Sequence, residues 1–67
     1  MSSLGTELPV EMTRVRDEIL PEYDAFPSGR LAAAMMRKDL DDAARAMIEG
    51  NVGEMIRCYR SLKEYSL

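Results

Sequence analysis

Residues 47–55 read Met-Ile-Glu-Gly-Asn-Val-Gly-Glu-Met, and this stretch decides the fold because one helix ends in it and another begins. Gly50 follows a long run of helix formers and has no side chain to resist a positive φ, which is typical of the position just past a helix C-terminus. Asn51 is a good N-cap, and Glu54 stands three residues later, as in a capping box. So short a turn predicts two antiparallel neighbouring helices.

The helix before this turn is predicted over about residues 29–49. Ser28 is its expected N-cap, and no helix breaker follows until Gly50. Apolar residues recur every three or four positions, which indicates an amphipathic helix. They are Ala33, Met36, Leu40, Ala43 and Met47, and Ala44 and Ile48 widen the stripe.

The helix after the turn is predicted over about residues 52–65. Its apolar face is formed by Val52, Met55, Ile56, Tyr59 and Leu62, with Cys58 and Tyr65 at the edges. Arg57, Arg60 and Lys63 are expected to face water, and they form a candidate basic face.

A first helix is predicted over about residues 7–25, with Thr6 as its N-cap. Its stripe consists of Leu8, Met12, Val15, Ile19, Tyr23 and Phe26. The stripe crosses Pro21, which lacks the N–H that a regular helix needs. Either the helix kinks there, or it stops near Ile19 and restarts, and the unbroken stripe favours the kink.

The resulting prediction is an all-α chain. Residues 1–6 are small and polar without a period, and we expect a flexible tail there. Residues 7–67 are predicted to form a single helical domain, a small three-helix bundle in which the second and third helices make a hairpin.

The size and composition of the chain favour self-association. With 67 residues, 46% hydrophobic and 31% charged, and a net charge of −3, the chain has the composition of a folded protein. Chains of this size usually need a disulfide, a metal or a partner for stability. A single cysteine excludes an intramolecular disulfide, and the absence of histidine argues against a structural zinc site. That leaves unusually good helix packing or oligomerisation. A homo-oligomer, with a dimer favoured, is the expected state, and a further protein partner is compatible with it.

A second apolar face on the second helix gives this dimer a candidate interface. Leu31, Ala34 and Met35 lie off the main stripe. A helix that is apolar on two sides is buried on two sides, so either the first helix or another subunit is expected to cover this face. Tyr23 and Phe26, at the end of the first stripe, complete the candidate interface.

Carboxylates recur at helical spacing, but their pattern does not predict a metal site. The pairs are Glu7/Glu11, Glu18/Glu22 and Asp39/Asp42. A carboxylate-bridged di-metal site in its usual form needs Glu-x-x-His, and the chain has no histidine. All three pairs fall off the apolar stripes, so we expect a solvated acidic face.

Cys58 is interpreted as a small apolar filler at a helix edge. Nucleophilic catalysis would need a base beside it, although Arg57 would lower its pKa slightly. A bridge to another subunit on oxidation is the remaining alternative. We therefore predict a non-enzymatic protein with no catalytic residue, no metal and no cofactor.

Two resemblances accompany these patterns. The run Glu49-Gly50-Asn51-Val52-Gly53-Glu54-Met55-Ile56-Arg57-Cys58-Tyr59 is similar to the middle of a tetratricopeptide repeat. No second copy follows at a period of about 34 residues, so the resemblance implies a shared way of turning a hairpin and not a repeat protein. Residues 14–65 also resemble short helical proteins of bacterial genomes and prophages, through Val15-Arg16-Asp17-Glu18-Ile19-Leu20-Pro21 and Tyr59-Arg60-Ser61-Leu62-Lys63-Glu64. That resemblance implies a bacterial or phage origin and no particular activity.

These observations predict a cytoplasmic interaction or accessory protein. No apolar stretch is long enough to span a membrane, and the first residues lack the features of a signal peptide. The alternative is a small nucleic-acid-associated regulator that uses Arg57, Arg60 and Lys63. It is less favoured because these bases belong to an acidic protein.

Overall fold

A computed structural model describes residues 3–67, and every regular element in that part of the chain is helical. The first helix consists of α1 (Leu4–Arg14), a π-helical turn (Val15–Ile19) and α2 (Leu20–Asp24), which follow one another without a gap. A 3₁₀ turn (Pro27–Gly29) then leads to α3 (Arg30–Glu49) and α4 (Val52–Glu64). The prediction of an all-α chain with three helices is confirmed.

The first helix begins earlier than the sequence pattern predicted. Ser3 is extended, and its carbonyl accepts hydrogen bonds from the N–H groups of Thr6 and Glu7 at 3.0 and 2.8 Å. Leu4 packs half-buried against the core, which favours a helix that includes it. Thr6 is therefore inside the helix and is not its N-cap. Of the expected tail, residues 1 and 2 lie outside the described residues.

The first helix passes Pro21 by widening ahead of it. The Leu20 N–H reaches back five residues to the Val15 carbonyl, instead of the usual four. In a regular α-helix the Pro21 ring would crowd the carbonyl of Asp17, and a wider turn relieves that contact. The helix therefore continues through Pro21 and does not stop near Ile19.

The turn between α3 and α4 has the geometry that the sequence predicted. Gly50 takes a φ of 66°, and the Asn51 N–H donates to the Ala46 carbonyl at 2.9 Å. The Asn51 side chain accepts from the Glu54 N–H at 3.2 Å, so Asn51 is the N-cap of α4. The capping box is only half formed, because the Asn51 N–H is already bonded to Ala46. The Glu54 carboxylate pairs with Arg57 instead.

The start of α3 differs from the prediction, because Gly29 and not Ser28 occupies its N-cap position. Gly29 is buried in the 3₁₀ turn, and its N–H donates to the Phe26 carbonyl at 3.0 Å. A Cβ at this position would lie 2.2 Å from the carbonyl oxygen of Tyr23. The chain can pass so close to the end of α2 only because this residue has no side chain.

α3 and α4 pack against each other as antiparallel neighbours. Asp42 contacts Arg57, whereas Asp39, one turn earlier, contacts Tyr65 near the end of α4. α1 packs mainly against α4, and α2 packs against α3.

The buried residues come from all three helices. They are Leu8, Val15, Ile19 and Leu20 of the first helix, Ala33, Met36, Ala43 and Ala46 of α3, and Met55, Cys58 and Leu62 of α4. Six expected positions differ. Cys58 is fully buried and not at an edge. Five residues that the stripes place on buried faces are exposed: Phe26, Ala44, Ile48 (87% exposed), Val52 and Ile56. Each residue turns about 100° around a helix, which carries Ile48 away from the neighbours that cover Ala43.

Candidate interaction surface

α3 has two faces of different character. One face packs against the other helices and includes Ala33, Met36, Ala43 and Ala46. The opposite face is solvent-exposed along the whole helix. Neither the first helix nor α4 covers it, because both pack on the buried side of α3.

The open side of α3 carries a regular row of residues, which we call the outer face of α3. Its members are separated alternately by three and four positions, and all of them are exposed. They are Leu31, Ala34, Lys38, Asp41, Arg45 and Ile48. Alternating steps of three and four are the pattern by which one helix packs along another. Large apolar side chains stand at both ends of the row, and charged side chains stand in the middle.

The apolar pattern of the sequence predicts the first half of this row but not the second. It places Leu31 and Ala34 on a second apolar face, whereas it places Ile48 on the buried stripe, although Ile48 is exposed. The missing signal was the continuation of the three-and-four steps through the charged positions Lys38, Asp41 and Arg45. By residue type alone, these three positions are typical of an ordinary solvated helix face.

The five predicted interface residues lie in two places. Leu31 is 76% exposed and Met35 is 53% exposed, with Ala34 between them on the same turn of α3. Met35 lies at the margin of the outer face, one turn before Asp39. Tyr23 and Phe26 lie instead at the connection between α2 and α3.

Tyr23 and Phe26 line a cavity of about 320 Å³. The half-buried Tyr23 donates from its hydroxyl to the Ser66 carbonyl at 3.0 Å, and Leu67 also lines the cavity. Phe26 is largely exposed at the same place. The C-terminal residues and the end of α2 therefore share this pocket.

A buried carboxylate joins α3 to α4. Asp39 is only 9% exposed, and its Oδ2 accepts hydrogen bonds from the Ser61 and Tyr65 hydroxyls at 3.0 and 2.8 Å. Burial, together with the bond to Asp39, raises the pKa of Tyr65 to about 12. The expectation that Asp39 lies on a solvated acidic face was wrong, because partners 22 and 26 residues away in the sequence donate to its Oδ2 in the interface between α3 and α4.

A second carboxylate, at the edge of the interface between α3 and α4, forms ion pairs with three basic side chains. Asp42 lies 2.8 Å from Lys38 Nζ, 3.1 Å from Arg57 Nη2 and 3.4 Å from Arg45 Nη1. The hydrogen bond from Lys38 is the main cause that lowers the pKa of Asp42 from its ordinary value. Lys38 and Arg45 both use Asp42, so Asp41 has no ion pair among the described residues.

The three residues of the candidate basic face differ in the contacts that their charged groups make. The Arg57 guanidinium turns towards acids, pairing with Glu54 at 3.0 Å as well as with Asp42. The hydrogen bond with Glu54 is the main cause that raises the pKa of Arg57. Lys63 Nζ lies 5.3 Å from the centre of the Tyr59 ring, within cation–π range. Arg60 is exposed.

Cys58 is enclosed between the helices and has no exposed surface. Burial raises the pKa of its thiol and outweighs the opposite effect of Arg57, whose Nη2 lies 3.5 Å from Sγ. A fully buried thiol of raised pKa is a packing residue.

The described residues contain no group of three or more His, Cys, Asp or Glu side chains that could hold a metal ion. Across residues 3–67, no helix is both long enough and apolar enough to cross a membrane.

Comparison of the chain with protein-family models, with curated proteins and with solved structures finds no match.

Proposed function

We propose that this chain is a non-enzymatic interaction protein that self-associates through the outer face of α3. The observation that carries the proposal is the exposure of Leu31 and Ile48 on one helix face that the chain's own helices leave open. Burial of a side chain of this kind contributes about 1.5–3 kcal/mol. Two such side chains, separated by a full helix length, give a partner helix an anchor at each end.

The polar groups between α3 and α4 support a packing role for that region. Asp39 is bonded to Ser61 and Tyr65, and no buried side-chain nitrogen or oxygen among the described residues lacks a hydrogen-bond partner. Catalytic groups need an approach for substrate, whereas these groups satisfy one another. The buried Cys58 supports the same conclusion.

The nucleic-acid alternative is less well supported. Phosphate binding needs cations that are free to meet the backbone. The Arg57 guanidinium is bonded to Glu54 and Asp42, and the chain carries a net charge of −3. The single cysteine is compatible with a protein of the reducing cytoplasm, and we propose that location for this chain.

Sedimentation velocity over micromolar to millimolar concentrations tests the proposal. The wild-type chain is expected to exceed its monomer mass of 7.6 kDa as the concentration rises. A chain that carries both Leu31→Gln and Ile48→Gln should remain monomeric, because both apolar anchors are lost. Val10→Gln is the matched control, since Val10 is also an exposed apolar residue but lies on α1. A wild-type chain that stays at the monomer mass throughout contradicts the proposal.

A further inference from the structure

We infer that the outer face of α3 pairs with the same face of a second copy of this chain, with the two helices antiparallel. The twofold axis lies between residues 39 and 40, so that Lys38 of each copy meets Asp41 of the other. This inference rests on the proposed self-association and specifies its geometry.

The register follows from the spacing of the outer face. The row has the same sequence of steps when it is followed from either end, so an antiparallel copy matches it position by position. Leu31 then faces Ile48, Ala34 faces Arg45, and Lys38 faces Asp41. Each pairing occurs twice, because a twofold interface repeats every contact.

Each of these layers is chemically complementary. The Leu31–Ile48 layers cover two of the most exposed apolar side chains of the molecule, one layer at each end of the interface. Ala34 is small, so the aliphatic stem of Arg45 has room to lie across it while its charged group stays in water. In the middle, the ammonium group of Lys38 meets the carboxylate of Asp41 of the other copy, because it has three N–H donors and its bond to Asp42 occupies one of them. Asp41 is available for this contact, because Asp42 is the carboxylate that binds Lys38 and Arg45 within the chain.

Charge excludes the parallel arrangement of the same two helices. In a parallel pair each position meets its own copy, so Lys38 would face Lys38, Asp41 would face Asp41, and Arg45 would face Arg45. Like charges in contact across an interface oppose association strongly. The antiparallel arrangement replaces these repulsive layers by two Lys–Asp pairs and two Arg–Ala layers.

Two charge-reversal variants test this register. Lys38→Glu alone places acids opposite each other across the axis, and Asp41→Lys alone places lysines opposite each other. Each is expected to weaken self-association roughly tenfold or more. When the two variants are mixed in equal amounts, the new glutamate of one chain faces the new lysine of the other. The remaining Asp41 and Lys38 also face each other in this heterodimer.

Sedimentation equilibrium of each variant and of the mixture measures the effect. Native mass spectrometry, with a mass tag on one chain, identifies the heterodimer. The expected result is two weakly associating variants whose mixture returns to wild-type affinity. Arg60→Glu is the matched control, because it reverses an exposed charge on α4 and should leave affinity unchanged. Circular dichroism melts at low concentration check that each monomer is folded.

The other outcomes separate this inference from the proposed function. Wild-type affinity in both single variants, or no recovery on mixing, overturns the register while the self-association stands. A wild-type chain that is monomeric at every concentration overturns both.

Discussion

The hydroxyl of Tyr65 donates a 2.8 Å hydrogen bond to the carboxylate of Asp39, and this contact ties the C-terminal end of α4 to the middle of α3. Because Asp39 is nearly buried, loss of a donor leaves its oxygen poorly satisfied. Tyr65→Phe is therefore expected to lower the free energy of unfolding by about 1–2 kcal/mol. Urea denaturation measures the change, and Tyr59→Phe is the matched control. Equal losses in the two variants would contradict a specific role for the Tyr65 hydroxyl.

The same contact predicts a loss of stability in alkali. The pKa of Tyr65 is raised from 10.0 to about 12, first by burial and then by the bond to Asp39. The folded state therefore favours the protonated phenol, and its contribution to stability is complete below pH 10. That contribution is lost as the pH rises from 10 through about 12. Stability measured across this range should fall in the wild type and fall less in Tyr65→Phe. Parallel curves would contradict the raised pKa.

Substitution by alanine is expected to have opposite effects on the stability of the fold at Gly29 and at Gly53. A Cβ on Gly29 would lie 2.2 Å from the Tyr23 carbonyl oxygen, so the backbone must shift. Gly29→Ala is expected to destabilise the fold by roughly 1–3 kcal/mol. A Cβ on Gly53 would meet Asn51 Oδ1 at an ordinary 3.7 Å, so Gly53→Ala should leave stability unchanged or slightly raised. Thermal melts of both variants measure this difference, and an unchanged melting temperature in Gly29→Ala would contradict the close approach.

The effect of replacing Pro9 on stability depends on where the first helix begins. With the helix starting at Leu4, Pro9 lies inside it and cannot donate to the Gly5 carbonyl. Pro9→Ala restores this donor and is expected to raise the free energy of unfolding by about 1–3 kcal/mol. Pro27→Ala is the control, since Pro27 starts the 3₁₀ turn, where a proline is favourable. No gain in Pro9→Ala would indicate a helix that begins after residue 6.

The local signals in the sequence predicted the parts of the fold that depend on local chemistry. Gly50 and Asn51 form the predicted turn because a positive φ and a side-chain cap need only their own neighbours. The N-terminal boundary was missed because it depends on the packing of Leu4 against a distant core.

The features that depend on tertiary contacts were not predictable from residue type. Asp39 is buried because Ser61 and Tyr65 reach it from another helix. Ile48 is exposed because no neighbouring helix covers its side of α3. A hydrophobic stripe assigns burial by residue type, so it placed both residues on the wrong side of their helix.

Isotope-filtered nuclear Overhauser spectroscopy on a mixture of carbon-13-labelled and unlabelled chains tests whether the outer face of α3 pairs with its own copy. The experiment detects methyl groups of one copy that lie close to protons of another. We expect contacts between Leu31 of one copy and Ile48 of the other, at concentrations where the chain exceeds its monomer mass. Contacts from Val52 and Ile56 of α4 in place of these would contradict it, as would a chain that shows no contact between copies at any concentration.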